Sequence, residues 1–130
     1  MILLDTNALI RVHELPFFDE SLALSALTLA ELRFGIELAP DPRTRARRVQ
    51  ELSLVEDVVG AAWLPFDRAA AEGYGKMASI VAKTRPAQAR RIDTMIAGHA
   101  YSLGAAIMTL NPKDFELVAD EVEIIVPELR

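Results

Sequence analysis

The sequence predicts a three-layer α/β/α sandwich built on a mostly parallel sheet of about five strands. Three observations carry that expectation. Short apolar runs recur along the chain, continuous rather than alternating, as in strands covered on both faces. Stretches of helical composition separate them, so strand and helix take turns. Acidic residues stand at or near several junctions between such elements, where parallel α/β sheets place their functional groups.

Taken in order, Ile2–Leu4 reads as the first strand, and Asn7 to Glu14 as a short helix ending before Pro16. Leu15-Pro16-Phe17-Phe18 reads as a loop with buried aromatics. Leu22–Leu27 is the second strand, and Leu29–Leu38 a helix stopped by Pro40 and Pro42. A longer helix, Arg43–Val58, precedes Gly60. Ala61–Leu64 is the third strand, and Arg68–Lys83 a helix ending before Pro86. Ala87–Leu103 follows and ends at Gly104, a C-cap residue. Ala105–Thr109 and Val122–Val126 are the last strands, with a helix from Pro112 to Ala119 between them. No internal repeat, low-complexity tract or linker interrupts the pattern, so residues 1–130 read as one domain.

Composition narrows the chemistry. An apolar fraction of 52% supplies a packed core. The absence of cysteine removes disulfides, thiolate nucleophiles and Cys-based zinc sites, and fits a reducing compartment. No apolar run is long enough to span a bilayer, and a strand starting at Met1 leaves no room for a cleavable leader, so a cytoplasmic protein that does not enter membranes is expected. A net charge of −5 argues against indiscriminate coating of nucleic acid. The charge is uneven, however. Arg43, Arg45, Arg47 and Arg48 crowd one segment, and Lys83, Arg85, Arg90 and Arg91 another, whereas acids dominate from Asp114 onward. These basic groups suit a phosphate backbone held beside an acidic centre, or equally the solvated faces of ordinary helices.

Four acids are placed where a metal could use them. Asp5 ends a wholly apolar strand, where a carboxylate needs a partner or a helix to cap. Glu31 closes Thr28-Leu29-Ala30-Glu31, a capping-box pattern, but retains a second carboxylate oxygen for other work. Asp93 shares a helix face with Ala97, Ala100 and Gly104. Such a stripe of small residues invites close packing, with an ion pair to Arg90 or Arg33 as the alternative. Asp114 follows Asn111-Pro112, a good helix start whose dipole favours an acid. Each acid has a local structural explanation; one cation-binding cluster of hard oxygen ligands explains all four together. His13 and His99 lack ligand spacing and read as surface or packing residues, and Met77, Met95 and Met108 as core.

Four short segments together resemble the PIN-domain ribonucleases, in particular the VapC-type toxins of bacterial and archaeal toxin–antitoxin pairs. They are Leu4-Asp5-Thr6-Asn7, then Thr28-Leu29-Ala30-Glu31-Leu32-Arg33-Phe34-Gly35, then Asp93-Thr94-Met95-Ile96-Ala97 with Ala100, and finally Thr109-Leu110-Asn111-Pro112-Lys113-Asp114-Phe115. The resemblance runs nearly end to end; Thr94 departs from an Ala common in relatives. It implies the PIN-like sandwich and a site for Mg²⁺ or Mn²⁺ on Asp5, Glu31, Asp93 and Asp114, supported by Asn7, Thr109 and Asn111.

The implied activity is endoribonucleolytic. One or two cations, about 4 Å apart if two, lower the pKa of a water and stabilise the departing oxygen. Asp5 and Asp93 are expected as the principal ligands, with Glu31 or Asp114 orienting or deprotonating the water. The resemblance further implies 5′-phosphate and 3′-hydroxyl products, an RNA backbone held by the flanking basic groups, and a homodimer. It also implies an antitoxin partner, for which Phe34, Ile36 and Leu38 offer an apolar contact. Two other readings compete. A magnesium-dependent aspartyl phosphatase wants a second acid where Asn7 stands. A non-catalytic binding module on the same fold would not require all four acids.

Overall fold

The computed structural model describes residues 1–86 and 91–130. Five parallel strands lie in the order β3-β2-β1-β4-β5, with β1 Ile2–Leu4, β2 Leu22–Ser25, β3 Trp63–Leu64, β4 Ala106–Met108 and β5 Ile124–Ile125. The helices are α1 Thr6–Leu9, α2 Ala26–Glu37, α3 Pro42–Val59, α4 Arg68–Val81 and α5 Arg91–Leu103. Single-file 3-10 segments run over Val12–Glu14 and Pro112–Val118.

Strand periodicity divides the core in two. Leu3, Ala23 and Ile107 point to one face, where they pack with Met77 and Val81 of α4, Ile96, Ala97 and Ala100 of α5, and Phe115 and Val118. Ile2, Leu4, Leu24 and Met108 point to the other, against Leu9 of α1, Val12, Ile36 of α2, and Leu52 and Val55 of α3. The continuous apolar runs exist because both faces are covered. The sequence-predicted sandwich is the observed one.

Element ends explain most departures from the sequence reading. β2 stops at Ser25, whose hydroxyl accepts from the Leu27 amide and caps α2, so this helix begins before Leu29. Thr28 is therefore inside the first turn and fully buried, and its hydroxyl has no hydrogen-bond partner among the described residues; the expected Thr28–Glu31 capping box does not form. Asp41 and Asp67 cap α3 and α4, accepting from the Thr44 and Ala70 amides at 2.7 and 3.0 Å. Gly60 and Gly104 end α3 and α5 with φ of 65° and 63°, as residues without a Cβ readily do. Pro112 opens a 3-10 segment rather than an α-helix, and Asn111 makes no side-chain cap bond to it. Phe17 is 89% exposed, so the loop before β2 buries only part of Phe18, not both aromatics. The predicted start of the fifth helix at residues 87–90 lies outside the described residues.

α4 and α5 cross at Gly73 and Gly98. A Cβ at Gly73 would sit 2.2 Å from the Gly98 carbonyl oxygen, and one at Gly98 would sit 2.3 Å from the Tyr74 nitrogen. The backbones touch, which fixes the direction in which α5 carries Asp93.

Candidate active site

The sheet order reverses direction at β1, whose neighbours are β2 and β4. In open parallel sheets the crevice at such a switch point, beyond the carboxyl ends of the strands, is where ligands bind. Asp5 leaves β1 there and Thr109 leaves β4 beside it. The Asp5 amide continues the ladder by donating to the Met108 carbonyl at 2.9 Å.

Asp5 is only 5% exposed, and both its oxygens are engaged. Oδ1 accepts from the Thr6 amide at 3.0 Å, which caps α1, and Oδ2 accepts from the Thr109 hydroxyl at 2.9 Å. One side chain thus both caps α1 and ties β1 to the end of β4. Thr109 Oγ1 is a hub: it donates to Asp5 and accepts from the Asn111 amide at 3.1 Å and from Asn7 Nδ2 at 3.3 Å. Asn7 Oδ1 also accepts from the Leu110 amide at 3.0 Å, tying α1 to the segment after β4. Asn111 Nδ2 donates to Asp114 Oδ2 at 2.9 Å. All three residues that the resemblance implied as supports, Asn7, Thr109 and Asn111, therefore contact one another or an acid of the quartet.

Glu31, one turn into α2, accepts from the Thr6 hydroxyl at 2.8 Å instead of turning back to its own helix. Thr6 was not singled out in the sequence; its place between Asp5 and Asn7 was the available signal. Asp93, in the first turn of α5, and Asp114 line one small cleft with Arg85, Thr94 and Phe115.

Electrostatics join these pairs into a cluster. Burial raises the pKa of Asp5; the Thr109 and Thr6 hydrogen bonds oppose this, and the charge of Asp114 adds to it. Glu31 is raised chiefly by burial, opposed by the Thr6 hydrogen bond and reinforced by Asp5. Asp5 thus feels both Glu31 and Asp114, while Asp114 shares its cleft with Asp93. Among the described residues no three acids are gathered as closely as a finished metal-ligand group. Carboxylates are hard oxygen donors, and this set suits a divalent cation of the magnesium type.

The basic groups separate. Arg45 bonds to Glu37 at 3.0 Å and to the Ile36 carbonyl at 3.3 Å, and Arg48 to the Gly35 carbonyl at 2.6 Å, so both tie α3 to α2. Arg47 lies 3.7 Å from Glu51 of its own helix, and Arg43 is exposed near the start of α3. Among the described residues, Arg85 is the one expected cation that lines the Asp93–Asp114 cleft. Lys83 and Arg91 are exposed at helix ends, and Arg90 lies outside the described residues. His99 is buried, with Nδ1 2.8 Å from the Ser25 hydroxyl and its ring edge-on to Phe66; His13 is exposed. Met77 and Met108 are core, while Met95 is half-buried.

The PIN domain family profile matches residues 2–121. The chain belongs to the PIN-domain family. Within it, similarity is to the VapC proteins. The VapC ribonuclease Y4jK of Sinorhizobium fredii (strain NBRC 101917 / NGR234) is 34% identical across 98% of this chain and 97% of its own. The tRNA(fMet)-specific endonuclease VapC of Shigella flexneri is 35% identical across 75% of this chain and 69% of its own. In three dimensions this PIN domain resembles VapBC-5 of Mycobacterium tuberculosis, a member of the VapBC family of toxin–antitoxin systems, with a TM-score of 0.69 and 29% identity over 95% of each chain.

Proposed function

We propose that this PIN domain is an endoribonuclease toxin that uses Mg²⁺ or Mn²⁺ and is held in check by an antitoxin protein. The observation that carries the reading is the electrostatic linkage of Asp5 to both Glu31 and Asp114 at the sheet's switch point, with Asp93 completing the cleft. Relatives named as a ribonuclease and as an RNA-specific endonuclease support the choice of RNA.

Asp5, Glu31, Asp93 and Asp114 would hold the cation, which when bound supplies charge for the phosphate and for the water that attacks it. The chain's own residues do the remaining work. Thr109 and the Thr6 amide keep Asp5 oriented and partly offset its burial. Thr6 aims Glu31 inward, and Asn111 does the same for Asp114. Glu31 and Asp114, each electrostatically linked to Asp5, would orient the water or take its proton.

For the antitoxin, a groove of about 270 Å³ opens beside Glu31, lined by Ile10, Leu32, Gly35, Arg48, Leu52 and Val55. Its apolar floor, with charges at the rim, suits a peptide side chain, and the VapBC neighbour supports a partner of that kind. The expected contact at Phe34, Ile36 and Leu38 needs correction. Phe34 is 64% exposed and Leu38 is also exposed, but Ile36 is buried in the core and cannot take part.

The test is incubation of the purified protein with total RNA and Mg²⁺ or Mn²⁺, beside Asp5→Asn and a chelator control. Metal-dependent cleavage should fall by at least about two orders of magnitude in the variant. Equal cleavage by Asp5→Asn would overturn the assignment of the site. Metal-independent RNA binding without cleavage would favour the non-catalytic module.

A further inference from the structure

Arg85 stands apart from the other cations among the described residues. It lies just past α4, where its amide donates to the Val81 carbonyl at 3.0 Å and where the helix dipole favours positive charge. Its side chain is 28% exposed and lines the same cleft as Asp93 and Asp114. One guanidinium nitrogen bonds to Glu116 Oε1 at 3.0 Å. Glu116 itself is largely exposed and sits two residues beyond Asp114 on the same 3-10 segment. An ion pair whose carboxylate stands in solvent contributes little to stability, because water competes for that partner. A guanidinium, however, presents donors in a planar fork that matches a phosphate, and a dianionic or backbone phosphate can displace a solvent-screened carboxylate.

We propose that Arg85 holds the RNA phosphate next to the acidic site, and that Glu116 is its resting counter-ion, released when phosphate arrives. The proposal rests on the ribonuclease reading and adds to it a named positioning residue and a latch. It also separates Arg85, which lines the Asp93–Asp114 cleft, from Arg45 and Arg48, whose guanidiniums bond to the Ile36 and Gly35 carbonyls and tie α3 to α2. Glu116 keeps the fork beside the cleft in the free protein, so little side-chain freedom is lost on binding. It competes with the ligand at the same time, so removing it should tighten the contact.

The two halves of the latch therefore predict opposite signs. Binding of a short fluorescein-labelled, mixed-sequence single-stranded RNA is measured by anisotropy in chelator, across a salt series, for the wild type, Arg85→Met, Arg85→Lys and Glu116→Gln. Melting temperatures are recorded in parallel. Arg85→Met should weaken binding by about tenfold and reduce the salt slope by about 0.7, the loss of one phosphate contact on a single strand. Arg85→Lys should recover part of the affinity, and Glu116→Gln should bind at least as tightly as the wild type. With Mg²⁺, Arg85→Met should raise KM more than it lowers kcat.

A purely structural tie predicts something else: Arg85→Met and Glu116→Gln would lose the same melting temperature and change RNA binding in the same direction. That result overturns the proposal, as does undetectable binding by the wild type or binding unaffected by Arg85→Met. Wild-type protein that binds RNA through Arg85 and never cleaves it would instead sink the nuclease reading while leaving the latch in place.

Discussion

Asp5 carries two jobs whose demands conflict. Its oxygens are occupied by the Thr6 amide and the Thr109 hydroxyl, which favour the charged form, yet burial and the charge of Asp114 disfavour it more. Glu31 is raised in the same direction, again with burial as the largest cause. The sign for stability follows from proton linkage. A carboxyl whose pKa is higher in the folded state holds its proton there when the unfolded chain has already lost it. Between the ordinary carboxylate value and the raised one, the folded state binds more protons, and stability falls as pH rises. Above the raised values both groups are ionised, and that cost is fully present.

Asp5→Asn keeps an oxygen to cap α1 and removes the charge. The metal-free variant should melt at a higher temperature than the wild type at neutral pH, and the gap should close as pH falls into the carboxylate range. Comparing the two proteins isolates this site from Glu14, Glu37 and Asp41, whose pKa values are lowered by Arg11, Arg45 and Thr44 and whose contributions run the other way. A variant that melts lower than the wild type at neutral pH would show that Asp5 is stabilising as a charge.

At the scale of elements, glycines on two helices give opposite expectations for one substitution. Gly98 of α5 lies against the backbone of Gly73 and Tyr74, so the Cβ of Gly98→Ala has nowhere to go without separating α4 from α5. Overpacking of this kind costs about 1–3 kcal/mol, and the tilt of α5 that delivers Asp93 would change with it. Gly35, in the last turn of α2, has nothing within 4 Å of a notional Cβ. Gly35→Ala should stabilise by up to about 1 kcal/mol through helix propensity alone. Urea titration of both variants checks the pair; equal shifts would mean that the crossing adapts.

The same crossing shows where sequence reasoning ran out. The small residues on the face of Asp93 were legible as Ala97, Ala100 and Gly104, but the contact itself is made by Gly98 with Gly73. A close approach needs both partners, and no local pattern pairs residues that far apart. The start of α2 is a second case. Ser25 and Thr28 both suit an N-cap; pairing of Ser25 with Leu64 at the edge of β2 sets where the strand stops, and that pairing is tertiary. By contrast, β1 and Asp5 were readable, because a wholly apolar strand ending in a carboxylate is unusual, whereas Asn7, Thr109 and Asn111 entered only through the resemblance to PIN-domain proteins, since nothing local marks a hydrogen-bond partner a hundred residues away.

Across the whole molecule the four acids come from different layers. Glu31 belongs to the layer of α2 and α3, and Asp93 and Asp114 lie with α4 and α5. Asp5 stands between them at the end of the sheet. A cation held by this set would join both helical layers to the sheet edge, so its binding energy would oppose global unfolding rather than the fraying of one segment. A ligand that binds only the folded state stabilises by about 2.7 kcal/mol at a hundred times its dissociation constant. For a domain of this size that is a rise of roughly ten degrees in melting temperature. Calorimetry with increasing Mg²⁺ or Mn²⁺ should show a saturating rise in the wild type. Asp5→Asn, which starts higher, should rise far less, so the two curves should converge as metal is added. Parallel curves would place the cation on surface carboxylates elsewhere. A wild type indifferent to both metals would remove the cation from the site while leaving the fold and the family as they stand.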